Sequence, residues 1–151
     1  VPTPPPSSSE SKTETVSFMK MATYAHIVDW DSLPNGLLGV TIEGGQRFRV
    51  ISSYADKQHL HCGSIEWLPA EAHIPLPENA MELQELLRQL TQHPHVQRLQ
   101  LNSEMNDVSS LGFLLTQMLP IGEDRKYELL CCDSPSQRLQ QLMDLLEQFN
   151  E

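Results

Sequence analysis

At Pro75-Leu76-Pro77 the hydrophobic period of this chain changes from about two residues to about 3.6. Upstream, apolar and polar residues alternate, as in strands with one face in a core. Downstream, apolar residues recur at intervals of three and four, as on the buried stripe of a helix. Two prolines in three residues fix their own φ and bias their neighbours away from helix, so a stiff hinge separates the two regimes. A chain divided in this way folds as a β part followed by an α part, not as strands interleaved with helices. The organisation expected is residues 1–15 outside the fold, a β subdomain over residues 16–77 and a helical bundle over residues 78–151.

The β part is best defined over residues 29–50, DWDSLPNGLLGVTIEGGQRFRV. Asn35 and Gly36 tolerate positive φ at little steric cost, so Pro34-Asn35-Gly36 reverses the chain and lets its flanking runs pair antiparallel. Beyond the turn, Leu38, Val40 and Ile42 alternate with Gly39, Thr41 and Glu43. Gly44-Gly45 then suits a bulge or bend, after which Phe48 and Val50 resume the inward face while Arg47 and Arg49 turn away. Before the hairpin, VSFMKMATYAHIVDW places Tyr24, His26, Val28 and Trp30 on one face and Thr23, Ala25, Ile27 and Asp29 on the other, both partly apolar. After a polar reversal at residues 55–58 comes HLHCGSIEWLP, a strand ended by Pro69. Four antiparallel strands joined as a meander are expected.

Three or four helices should follow. Glu78 opens one whose stripe of Leu83, Leu86, Leu87 and Leu90 stops near His93-Pro94. HVQRLQLNSEM is less regular and has room for a short helix. Asn106 or Asp107 is the next N-cap, ahead of Val108, Leu111, Leu114, Leu115 and Met118 at helical spacing, and Pro120 and Gly122 end that element. Residues 123–130 read as a short helix. Ser134-Pro135 then supplies a cap followed by proline at the first helical position, opening a helix with Leu139, Leu142, Met143, Leu146 and Phe149 on one face.

Composition narrows the class. With 151 residues, 39% hydrophobic and a net charge of -10, the chain fits one soluble domain with a sizeable core or two small subdomains. No apolar run approaches the roughly 18 residues that span a bilayer, and the start has no secretory pattern. Three cysteines, two of them the adjacent Cys131-Cys132, do not make a disulfide framework, so a reducing, cytoplasmic location is expected. VPTPPPSSSESKTET has only Val1 to bury, and its PTPPP has no basic flank, so it reads as a tail or spacer.

AHIVDWDSLPNGLLGVTIEGGQRFRV, with an EGxxRxRV pattern at Glu43, Gly44, Arg47, Arg49 and Val50, is followed by IEWLPAE and by the helical sequence from residue 106 onward. In this order they resemble the N-terminal substrate-binding domain of Lon-type ATP-dependent proteases, and most of all the stand-alone bacterial proteins made of that domain. The resemblance spans residues 18–149. It implies an α+β fold: an antiparallel PUA-like pseudo-barrel, built as a β meander, followed by a small C-terminal helical bundle. Asn35, Gly36, Glu43, Gly44, Arg47 and Arg49 would then be structural signatures rather than reactive groups. The family's opening strands, of the type LPLFPL…LFPG…LRIFEPRY, have no counterpart before Ala22. The expectation is an uncovered apolar sheet edge, closed by a second copy of the chain or by a retained N-terminal fragment.

Enzyme chemistry finds no purchase in the motifs. No GxxxxGK[ST] loop cradles a phosphate, no GxSxG or HExxH occurs, and nothing resembles Lon's Ser-Lys machinery, so no catalytic residue and no cofactor is assigned. His59, His61 and Cys62 would point to opposite faces of a strand and do not converge on a metal. Nucleic acid is disfavoured, because Lys20, Arg47, Arg49 and Lys57 are outnumbered by carboxylates in residues 16–77, and the helical half is more acidic still. What remains is binding to protein: capture of unfolded or apolar segments, with Tyr24, Trp30, Phe48 and Trp67 as candidate contacts beside adaptable methionines. A structural or regulatory module that associates with itself is the alternative.

Overall fold

The computed structural model describes residues 18–101 and 105–150. The spacer expected over residues 1–15, the start of the first expected strand at residues 16–17, and residues 102–104 of the irregular stretch lie outside the described residues. The fold is α+β, an antiparallel sheet followed by helices. The backbone parts into two compact units, one ending at Leu68 and the other beginning at Pro69.

In the first unit, β1 (Met21–Ser32), β2 (Leu38–Ala55) and β3 (His61–Trp67) form an antiparallel meander in the order β1-β2-β3. The β1–β2 turn forms as expected: the Gly36 N–H donates to the Leu33 carbonyl at 2.9 Å, Gly36 takes φ 81°, and Asn35 Oδ1 accepts from the Leu37 N–H at 3.1 Å. In the β2–β3 turn, Asp56 Oδ1 accepts the N–H groups of Gln58 and Leu60 at 2.8 and 2.9 Å. His59 stands in that turn with φ 62°, not on the strand where alternation put it.

Three strands are described where four were expected, because Gly44-Gly45 does not end a strand. Both halves of β2 pair with β1, Ile42 opposite Ile27 and Phe48 opposite Ala22. Between the pairs Thr23–Arg47 and Ala25–Gly44, β2 advances one residue more than β1. That bulge exchanges the faces of β2. Leu38, Val40 and Ile42 lie on the side of Arg47 and Arg49, and Phe48 and Val50 lie on the other. A second shift at Val28 of β1, between Ile27–Ile42 and Asp29–Thr41, turns Trp30 away from the face of Tyr24 and His26. The single inward face read from the sequence is therefore split, since a two-residue period counted along the chain does not register an inserted residue.

The second unit holds the core. A 3-10 turn (Glu78–Ala80) leads into α1 (Met81–Thr91), followed by a four-residue α2 (Pro94–Gln97), α3 (Val108–Met118), α4 (Glu123–Cys131) and α5 (Pro135–Phe149). Leu83 and Leu87 of α1, Leu111 and Leu115 of α3, Leu129 of α4 and Leu139 and Leu142 of α5 are buried together. α3 is the centre, with α1, α4 and α5 packed on it. Ile74 and Leu76 join this cluster, and the Ile74 carbonyl accepts the Val108 N–H at 2.9 Å.

Asp107 is the N-cap of α3, its Oδ1 accepting from the Ser110 N–H at 2.9 Å, and Ser134 caps α5 ahead of Pro135. Partial burial alone would raise the Asp107 carboxyl. The Ser110 and Ser109 donors and the nearby His73 outweigh that and hold it below the usual range. On α5, Arg138 is fully buried. Its Nη1 and Nη2 donate to the Glu71 carboxylate at 2.9 and 2.8 Å, its Nε to the Leu129 carbonyl at 2.8 Å, and its guanidinium lies 4.0 Å from the centre of the Phe113 ring.

Candidate functional site

Pairing decides which of the four candidate aromatics meet. Phe48 is opposite Ala22 on one side and Trp67 on the other, and Val50 is opposite Ile65. Tyr24, two residues beyond Ala22, shares this face. Its ring lies 5.8 Å from Trp67 at 69°, and the Phe48 ring lies 5.8 Å from Trp67 at 80°. His26 meets Tyr24 edge to face at 4.4 Å. Edge-to-face contact suits the positive rim and negative face of such rings, so the cluster orders itself without a deep core beneath it. It stays open: Tyr24 is 44% and Trp67 48% exposed, with Ile65 exposed beside them and Phe48 half-buried.

Trp30 is not part of this cluster. It lies on the opposite face, 67% exposed, across from Val40 and in line with Ile27, Ile42 and Leu38, all exposed. Met21 is the only buried residue among those described in the β unit. The sheet thus presents apolar side chains on both faces, an arrangement that isolated soluble sheets seldom show.

The signature residues lie along the paired strands and the turn between them. Gly44 lies opposite Ala25 beside the bulge and Glu43 opposite His26. Arg49 Nη1 stands 3.7 Å from the Glu66 carboxylate across β2 and β3, and the Arg47 carbonyl accepts the Leu68 N–H at 3.0 Å. His61 packs edge to face on Phe18 at 5.2 Å, and Cys62 Sγ points to the Leu60 carbonyl. Among the described residues no three His, Cys, Asp or Glu side chains are grouped to hold a metal ion, and no helix is long and apolar enough to cross a membrane.

Sequence reasoning named the three clustered aromatics and put His26 on the face of Tyr24, but missed their neighbour Ile65. The i, i+2 spacing of Ile65 from Trp67 was the available signal. It became readable only once Phe48 was known to pair with both strands.

The family model of the ATP-dependent protease La (LON) substrate-binding domain matches residues 4–148. Among solved structures, the chain is similar to a Lon N-terminal domain protein from Xanthomonas campestris, at 25% identity and a TM-score of 0.66, over 83% of this chain and 68% of that one. It also shares its fold with the N-terminal domain of Mycobacterium avium complex Lon protease, at 14% identity and a TM-score of 0.57, over 85% and 70% of the two chains. No curated protein matches significantly.

Proposed function

This chain belongs to the ATP-dependent protease La (LON) substrate-binding domain family, and from that premise we propose that it captures exposed apolar segments of other proteins through Tyr24, Phe48 and Trp67 without catalysing their cleavage. Domains of this family recognise substrates. The observation that carries the reading to particular residues is the open edge-to-face cluster of those rings, drawn from all three strands. Two half-exposed rings and their aliphatic neighbours offer on the order of 200 Å² of apolar surface, worth about 5 kcal/mol at about 25 cal/mol per Å² before a flexible client is ordered. A single contact of that size is weak and reversible, as suits a module that samples many clients. Arg49 stands beside Glu66, and carboxylates outnumber lysine and arginine in residues 16–77, a balance that disfavours nucleic acid. The three cysteines are free, which fits a reducing cytoplasm.

The reading is tested by titrating the protein with a reduced and alkylated, permanently unfolded client and following anisotropy. Tyr24→Ala and Trp67→Ala should each weaken binding several-fold, whereas Trp30→Ala should not. Undiminished binding by the doubly substituted protein, with its circular dichroism intact, would remove the cluster from the function.

One observation favours a second role. The face of Trp30, Ile27, Val40 and Ile42 is apolar and open, and a second copy of the chain or a tightly held N-terminal fragment would cover it. Native and denaturing mass spectrometry of one sample separate these cases. A lone 17.1 kDa species in both would exclude them.

A further inference from the structure

In the helical unit, α1 and α5 both rest on α3 and leave a groove between them. Leu83, Leu86, Met143 and Leu146 line it. Met81 also lines it and is 69% exposed, while Phe149, one turn beyond Leu146 on α5, is 65% exposed. An apolar strip thus continues from the groove onto open surface.

The charged residues of the groove carry one sign, beside the neutral Asn79, Gln140 and Asn150. Glu78 and Glu82 stand on the α1 side and Glu147 on the α5 side, and no lysine or arginine lines the groove. Among the described residues these three carboxylates form no ion pair, whereas Glu85, farther along α1, is taken by Arg88. An apolar floor between unneutralised carboxylates is complementary to one kind of partner. A helix with apolar residues at every third or fourth position seats them in such a groove, and cations on its flanks reach the carboxylates.

We infer that the α1–α5 groove is a second docking site, taking an amphipathic polypeptide segment whose apolar stripe is flanked by lysine or arginine. The net charge of -10 steers such a segment inward and turns nucleic acid away. The inference does not depend on the aromatic cluster, since it concerns other residues and demands basic flanks.

The test uses the full chain and two labelled peptides, one with leucines at helical spacing on a lysine background and the other with glutamate in place of lysine. With the aromatic cluster removed by Tyr24→Ala and Trp67→Ala, the lysine peptide should bind, more weakly as salt is raised, and the glutamate peptide should not. In that same background Glu82→Lys with Glu147→Lys, both on exposed side chains, should weaken the lysine peptide by about tenfold. The inference is overturned if the lysine peptide fails to bind, if the charge-reversed protein binds it equally well, or if only the aromatic substitutions release it.

Discussion

Arg138 and Glu71 lie 67 positions apart in sequence, and neither drew notice as a partner of the other. Arg138 sits on a helix legible through its leucines, and Glu71 lies in an extended stretch before the proline hinge. A buried bidentate pair leaves no periodic trace. Removing one member strands a charge in a low-dielectric site, which typically costs about 3–5 kcal/mol. Glu71→Gln should therefore lower the urea midpoint substantially with its slope unchanged, and Arg138→Met should cost less when made together with Glu71→Met than when made alone. On the surface, Glu85 accepts two hydrogen bonds from Arg88, at 2.8 and 2.6 Å, and one from Gln89, which lower its pKa from 4.5 to about 2. A depressed carboxyl contributes stability above its unfolded pKa and loses that contribution as pH falls toward the folded one, here between 4.5 and about 2. Carbon-detected NMR titration should find Glu85 changing charge near the bottom of that window. In Arg88→Ala its midpoint should return toward the ordinary carboxylate range, and a midpoint unmoved by that substitution would refute the assignment.

At the scale of elements, the sequence was most readable where a single local rule decides the structure. The Asn35-Gly36 turn, the Asp107 and Ser134 caps and the leucine stripes of α1, α3 and α5 all follow from chemistry within a few residues. Asp107→Ala should cost about 1 kcal/mol, the usual value of a lost N-cap, read as a shift in thermal midpoint. The bulge beside Gly44-Gly45 was expected, but its exchange of faces and the further shift at Val28 were hidden, because an inserted residue is defined by the strand opposite and not by its own neighbours. The result was that Leu38, Val40 and Ile42 were expected on one inward face with Phe48 and Val50, where the sheet divides them between its two faces, and that Trp30 was grouped wrongly beside Tyr24. Gly63 shows how tightly the strands are matched: a Cβ there would lie 2.5 Å from the Ser52 carbonyl oxygen. Gly63→Ala should loosen the β2–β3 pairing and speed amide exchange in His61–Trp67, with the helical unit unaffected.

Taken whole, the chain concentrates its buried leucines in the helical unit and leaves the apolar residues of the β unit in contact with solvent. Family and class were legible because hinge, turn and bulge glycines are written in local sequence. The binding surface was only half legible, because its face was set by register. A recognition module with no nucleotide loop should turn over neither ATP nor casein when purified free of protease, and turnover abolished by a point substitution in this chain would oppose that assignment. The proposed role of the open cluster of Tyr24, Phe48 and Trp67 is to receive apolar client segments. Hydrogen exchange with mass spectrometry, run with and without a reduced and alkylated acidic client that the α1–α5 groove should reject, tests it most directly. Slowed exchange is expected in residues 21–26, 47–50 and 64–67. Saturating client with protection confined to the helices, or to the face of Trp30, would contradict it.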